Sequence, residues 1–214
     1  MGDKICYIVG AGENYGLDFE IKPGDYVIAA DGGLHHLAGQ GIAPDLVIGD
    51  FDSAKEKPAG GHVITLDTHK DFTDTFEAIK AGINLGYNVF YIYCGTGGRF
   101  DHTYGNIQAL AYLSQQGKRG FLVDREWVTT AVTNGGIAFD VNCRGHLSVL
   151  AYSDKAAGVC LQGLKYTTPP TFEMCNALPV GVSNEFIGEN SSVAVADGTL
   201  VVIFPRSALS LVNI

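Results

Sequence analysis

Short apolar runs alternate with amphipathic stretches through the first part of the chain. The segments "KICYIVG" (4–10), "DYVIAAD" (25–31), "DLVIGD" (45–50), "HVITLD" (62–67), "NVFYIYCG" (88–95) and "GFLVD" (120–124) are nearly unbroken in hydrophobicity. That is the pattern of strands covered on both faces. Between several of them lie stretches that predict helices: "GLHHLAGQG" (33–41), "TDTFEAIKAGINLG" (73–86) and "DHTYGNIQALAYLSQQG" (101–117). In the last of these, Ile107, Leu110, Ala111 and Leu113 fall on one stripe close to the helical period. Strand and helix in alternation predict an α/β fold, with an N-terminal, mostly parallel sheet flanked by helices.

Beyond residue 125 the texture changes. "WVTTAV", "GIAFDV", "HLSVLAY", "GVCLQGLKYTT", "SVAVA" and "TLVVIF" are strand-like and separated by turn signals such as Asn134-Gly135-Gly136 and Asp197-Gly198. Pro169-Pro170 and Pro179 interrupt the region further, and no convincing helical period follows. The expected organisation is an α/β domain over residues 1–124 and an antiparallel β-sandwich domain over residues 125–214.

Composition narrows the classes of function. With 214 residues, 46% of them hydrophobic, the chain can bury a substantial core. A formal net charge of −9, with no local Lys/Arg cluster to offset it, argues against nucleic acid or an anionic membrane as partner. It leaves an anionic substrate open, provided that a divalent metal neutralises the carboxylates it meets. The five cysteines are scattered and form no CxxC pair, which suits a reducing compartment rather than a disulfide framework. "MGDKICYIVGAG" has neither a basic leader nor a long apolar run, so a cytoplasmic protein is expected.

The acidic residues cluster once the strands are placed. In an open parallel sheet, ligands bind beyond the carboxyl ends of the strands. Asp31 ends "YVIAAD" just before Gly32-Gly33, Asp50 ends "LVIGD" with Asp52 following, Asp71 and Asp74 open the next helix, and Asp101 opens the helix after "IYCGTGGRF". Extended backbone through Asp50-Phe51-Asp52 turns both carboxylates one way and the ring the other. Two close anions are stable only with a shared proton or an intervening cation, and hard oxygen ligands beside phosphates suit Mg²⁺.

A countercharge comes from "GTGGRFDH" (95–102). Its Gly97 and Gly98 let backbone approach a ligand, and Arg99 can hold phosphate oxygens in a two-point fork or pair with Asp101. Lys70, Asp71, Thr73 and Asp74 stand close together in "HKDFTDTFEAI". There Thr73 or Asp71 can cap the helix, Asp74 sits in its first turn, and Lys70 can meet a phosphate. "GAGENYG" is only loosely like a phosphate loop, though it can border a nucleotide. His35 and His36 have no partner at metal-ligand spacing and read as surface or packing residues, while His102 stands beside Asp101.

In order and spacing, "AADGG" (29–33), "GIAPDLVIGDFDS" (41–53), "KDFTD" (70–74), "GGRFDH" (97–102), "GLKY" (163–166) and "GVSNEF" (181–186) resemble thiamine pyrophosphokinases of the bacterial type. The resemblance spans nearly the whole chain. It implies an N-terminal α/β catalytic domain and a C-terminal β domain, in a homodimer with thiamine at the dimer interface near the β domain. The implied reaction is transfer of pyrophosphate from the co-substrate ATP to the thiamine hydroxyl, giving thiamine diphosphate and AMP, with Mg²⁺.

By the same resemblance, Asp31, Asp50, Asp52, Asp74 and Asp101 match the acidic metal and nucleotide positions. The metal set is expected among Asp50, Asp52, Asp74 and Asp101. Asp31, Gly32, Lys70, Thr73, Gly97, Gly98 and Arg99 are expected around the nucleotide and its phosphates, and Ser183 and Asn184 on thiamine. Asp74 and Asp101 both stand as candidates for accepting the hydroxyl proton. Phe76 departs from the acidic or amide residue that relatives often carry there, and the chain's tryptophan, Trp127, lies outside the Ser183-Asn184 segment. Rival readings are a pyrophosphokinase for another acceptor such as a hydroxymethylpterin, a non-catalytic nucleotide- or thiamine-binding regulator, and a metal-dependent sugar-nucleotide transferase.

Overall fold

The computed structural model of the protein describes residues 4–49, 62–65 and 71–213. Two compact units emerge, one of residues 1–109 with 122–124, the other of residues 110–121 with 125–214.

In the first unit, β1 (Ile5–Val9), β2 (Tyr26–Ala30), β3 (Leu46–Gly49), β4 (His62–Thr65) and β5 (Val89–Tyr93) pair in parallel in the spatial order β5-β1-β2-β3-β4. Ile8, Ile28, Ile48 and Ile92 are buried in this sheet, as continuous apolar runs require. Helices α1 (Gly33–Ala38) and α2 (Asp74–Asn84) follow the expected periods and pack against β1 and β2. The expectation of cover on both faces fails at β4, where His62, Ile64 and Thr65 are exposed. Among the described residues it is an edge strand, paired on one side only, with β3.

Two aspartates belong to the opposite end of this sheet. Asp25 Oδ1 accepts from Ile5 N at 2.9 Å and Asp45 Oδ2 accepts from Val27 N at 2.8 Å. Both satisfy backbone donors where strands begin. They hold the sheet together and leave its carboxyl edge to other acids.

Helix α3 (Phe100–Gln115) and strand β6 (Arg119–Val123) run through the division between units. The second unit also holds β7 (Trp127–Thr133), β8 (Gly136–Phe139), β9 (His146–Ala151), β10 (Ala156–Ala157), β11 (Cys160–Gln162), β12 (Glu173–Met174), β13 (Asn184–Glu185), β14 (Ser191–Ala194), β15 (Thr199–Pro205) and β16 (Val212–Asn213). One antiparallel run is ordered β13-β9-β15-β7 and another β11-β14-β8-β16, with β10 and β12 forming a small pair. Phe139 of β8 meets Phe204 of β15 edge to face at 5.1 Å, so the two runs share an aromatic core.

Two expectations need correction here. "GVCLQGLKYTT" is not one strand, because Gly163 at φ 64 ends β11 and a Cβ there would overlap the Asn190 carbonyl. A 3-10 helix also occupies Arg206–Leu211, too short to show a helical period in the sequence.

Candidate active site

The loops leaving β1 and β5 lie back to back. Gly10 N donates to Tyr93 O (2.9 Å), Gly12 N to Cys94 O (2.7 Å) and Glu13 N to Thr96 O (2.9 Å). A Cβ on Gly12 would come within 2.5 Å of Thr96 O and 2.6 Å of Cys94 O, so the contact requires a residue without a side chain. His36 Nε2–H donates to Gly12 O at 2.9 Å, and Asn106 Nδ2 donates to Gly95 O at 2.7 Å. Above these loops opens a cavity of about 540 Å³. Its wall includes Gly12 and Glu13 from the first loop, Asp31 after β2, and Thr73 and Asp74 at the start of α2. Gly97, Gly98, Arg99, His102 and Asn106 complete it from the second loop and α3.

The structure thus brings Asp31, Asp74, Thr73, Gly97, Gly98 and Arg99 together as the sequence predicts. Asp31 takes φ 51, a left-handed conformation seldom adopted by residues with side chains, while its N–H donates to Ile48 O at 2.8 Å. Cys94, at the end of β5 and also on the cavity wall, takes φ 52. Thr73 Oγ1 accepts from Phe76 N at 3.2 Å and so caps α2. That capping fixes Asp74 in the first turn, where the helix dipole favours a carboxylate. Asp71 is exposed and outside the cavity wall. Gly32 precedes α1 with an ordinary right-handed φ of −57 and is not on the wall either.

Asp101 is engaged by Arg99. Arg99 Nε donates to Asp101 Oδ1 at 3.2 Å and an Arg99 terminal nitrogen to Asp101 Oδ2 at 2.6 Å, a two-point pair in solvent. The hydrogen bond from Arg99 holds the Asp101 carboxyl below the usual carboxylate range. Among the described residues, no group of three or more His, Cys, Asp or Glu side chains is arranged to hold a metal. Asp50, Asp52 and Lys70 lie outside the described residues. Ser183 and Asn184 belong to the second unit, where Asn184 is buried and Ser183 has φ 61.

Two residues that build this site carried no functional signal in the sequence. His36 reads there as packing, and packing is its role, but what it packs is a cavity loop. Asn106 sits mid-helix, where a polar residue is usually solvated; here it is 6% exposed and spans from α3 to the Gly95 carbonyl. Replacing Asn106 with Ala should orphan that buried acceptor, lowering stability by about 1–2 kcal/mol. Urea unfolding measures that loss. The variant should also weaken ligand binding in the cavity, and unchanged binding would mean that the amide serves stability alone.

Comparison with known proteins bears directly on this arrangement. The family described as thiamin pyrophosphokinase, catalytic domain, matches residues 19–122. Thiamine pyrophosphokinase of Bacillus subtilis (strain 168) is 28% identical, over 82% of this chain and 85% of its own. The crystal structure of thiamine pyrophosphokinase from Bacillus subtilis superposes with a TM-score of 0.81 at 25% identity, covering 94% of this chain and 99% of that one. Family model, curated relative and solved structures all indicate thiamine pyrophosphokinase. The thiamin pyrophosphokinase from Geobacillus thermodenitrificans agrees, with a TM-score of 0.80 at 25% identity over 96% of this chain and 100% of that chain. The family match covers the Asp31, Asp74 and Arg99 walls of the cavity.

Proposed function

We propose that this chain transfers the pyrophosphoryl group of ATP to the hydroxyethyl oxygen of thiamine, releasing AMP, with Mg²⁺, as a cytoplasmic homodimer. The observation that carries the reading is the cavity at the carboxyl edge of the parallel sheet. Asp31, Asp74 and Arg99 line it together with Gly97 and Gly98, within the stretch that matches the family's catalytic domain. Among the described residues no helix is long and apolar enough to cross a membrane.

Each group has a definable task. Asp31 and Asp74 are hard oxygen donors, the chemistry Mg²⁺ prefers, and with Asp50 and Asp52 they would hold the ion. When bound, Mg²⁺ screens the polyphosphate charge and makes phosphorus more electrophilic. Gly97 and Gly98 admit the phosphate chain close to backbone. Arg99 uses the Nε and one terminal nitrogen on Asp101, which leaves further N–H donors of the guanidinium for phosphate oxygens. Asp101 is therefore assigned to orienting Arg99. Each oxygen of its carboxylate keeps a lone pair for a further donor or a cation, and the pair with Arg99 favours its charged form. Asp74 and Asp101 both remain candidates for taking the proton from the attacking hydroxyl. The bond formed joins the thiamine oxygen to the β-phosphorus, and the bond broken frees AMP.

Incubation with ATP, Mg²⁺ and thiamine followed by nucleotide chromatography tests the reading. AMP in equal amount to thiamine diphosphate is expected. ADP would mean a simple kinase, and absence of thiamine-dependent turnover would overturn the assignment.

A further inference from the structure

A second cavity, of about 300 Å³, lies wholly within the second unit and shares no residue with the catalytic cavity. Its volume is at the lower end of the range that takes small organic ligands. The wall is drawn from the turn after α3 and the start of β6, from β7, and from β8 with β16. Phe121, Val132, Ile137 and Val212 give it an apolar lining, and Lys118 and Arg119 stand on the same wall.

The turn that brings in these two cations is fixed by its backbone. Gly117 takes φ 68, its N–H donates to Ser114 O at 3.0 Å, and Lys118 N donates to Leu113 O at 2.9 Å, which closes α3 as a left-handed glycine cap does. The chain then enters β6, where Thr130 Oγ1 donates to Gly120 O at 2.7 Å. Lys118-Arg119 is the one place in the sequence where two Lys or Arg residues adjoin, in a chain of net charge −9. A cation just past a helix C-terminus complements the helix dipole, but that effect asks nothing of a cavity. It does not account for an apolar lining beside both charges.

Hydroxyls on this wall have partners of their own. The Thr130 side chain is buried on Gly120 O, and Thr133 Oγ1 lies 2.9 Å from Thr199 Oγ1. Recognition of a charged ligand therefore falls to Lys118 and Arg119. A guanidinium grips phosphate oxygens at two points and an ammonium adds a compact charge, so the pair suits a dianion better than a monoanion.

We propose that this cavity is an accessory binding site for a phosphate monoester with a compact apolar body, its phosphate held by Lys118 and Arg119 and its body against Phe121, Val132, Ile137 and Val212. The reaction proposed above makes no use of this cavity, and the test reads binding rather than turnover.

Calorimetry on the full-length protein at low ionic strength, with phenyl phosphate as the probe, should give a dissociation constant of about 1 mM or tighter. Inorganic phosphate, which lacks the apolar body, should bind at least about tenfold more weakly, and so should benzoate, which carries one charge. Lys118→Gln and Arg119→Gln should each weaken phenyl phosphate about tenfold, the size of one hydrogen bond to a charged group. Arg119 is exposed, so its variant should keep the parent's urea midpoint and decides the matter even where Lys118→Gln fails to fold. Arg99→Ala, which alters the catalytic cavity, should leave this affinity unchanged. Failure of the parent to bind phenyl phosphate overturns the proposal, as does binding that survives Arg119→Gln at full strength. Equal affinity for inorganic phosphate overturns the role of the apolar lining, and equal affinity for benzoate overturns the preference for a dianion. Loss of binding in Arg99→Ala places the probe in the catalytic cavity and overturns the accessory site.

Discussion

Asp31→Gly is expected to make the fold more stable and the enzyme about 100-fold slower, as for loss of one transition-state electrostatic partner. The two effects have separate causes at one residue. The backbone of Asp31 sits at φ 51, where a side chain meets its own carbonyl, and glycine relieves that strain by roughly 1–2 kcal/mol, of which its greater freedom in the unfolded chain takes back about 0.4–1 kcal/mol. Its N–H to Ile48 O bond is backbone and survives the exchange. Lost is the carboxylate on the cavity wall, one of the donors proposed for the metal. Asp31→Asn separates the two causes, since asparagine tolerates the left-handed region but carries no charge. It should lose activity to a similar degree with little change in stability. Urea midpoints and initial rates of AMP formation measure both quantities. A less stable glycine variant would refute the strain argument, and a glycine variant with near-normal turnover would refute the need for the anion.

This strained aspartate shows how far sequence reasoning reaches. The strand that ends in Asp31 is legible because continuous hydrophobicity needs cover on both faces, and the same rule places the site at the carboxyl edge of the sheet. The rule is silent about register and edges. It treats β4 like its neighbours, although β4 has one partner and exposes Ile64. It also does not say which acids hold backbone: Asp25 and Asp45 look no different from Asp31 in sequence, yet they bond amide groups at the amino ends of strands.

Contacts between side chain and distant backbone were the least legible. Asn106 to Gly95 and His36 to Gly12 join residues 11 and 24 positions apart, and no local periodicity encodes such pairs. Asn184 is a related case. Its motif marks it as important, but only the coordinates show that its amide serves Tyr166 rather than facing outward. The Arg99–Asp101 pair was readable as an alternative because the partners lie two residues apart.

Adjacent glycines in "AADGG" are expected to respond oppositely to a single methyl group. Gly33→Ala should cost about 3 kcal/mol, because overpacking against main chain has no flexible side chain to absorb it. The Cβ would fall inside the contact radius of the Val9 carbonyl oxygen and lie 2.6 Å from the Val9 carbonyl carbon, while Gly10 O stands 3.0 Å away. These atoms end β1 and open the cavity loop, so relief requires α1 to move off the sheet. Gly32→Ala places its Cβ 3.1 Å from the Ala11 methyl, and its φ of −57 suits any residue. A shift of a few tenths of an ångström at Ala11 accommodates it, so this variant should fold with nearly the parent's urea midpoint. Gly32, expected at the nucleotide from its motif, is then tested cleanly by kinetics. A raised KM for ATP in a stably folded Gly32→Ala variant would show that the nucleotide passes close to its backbone, and an unchanged KM would leave Gly33 packing as the physical reason for the pair. Equal destabilisation by the two substitutions would contradict the close approach of α1 to β1 on which the geometry of this cavity depends.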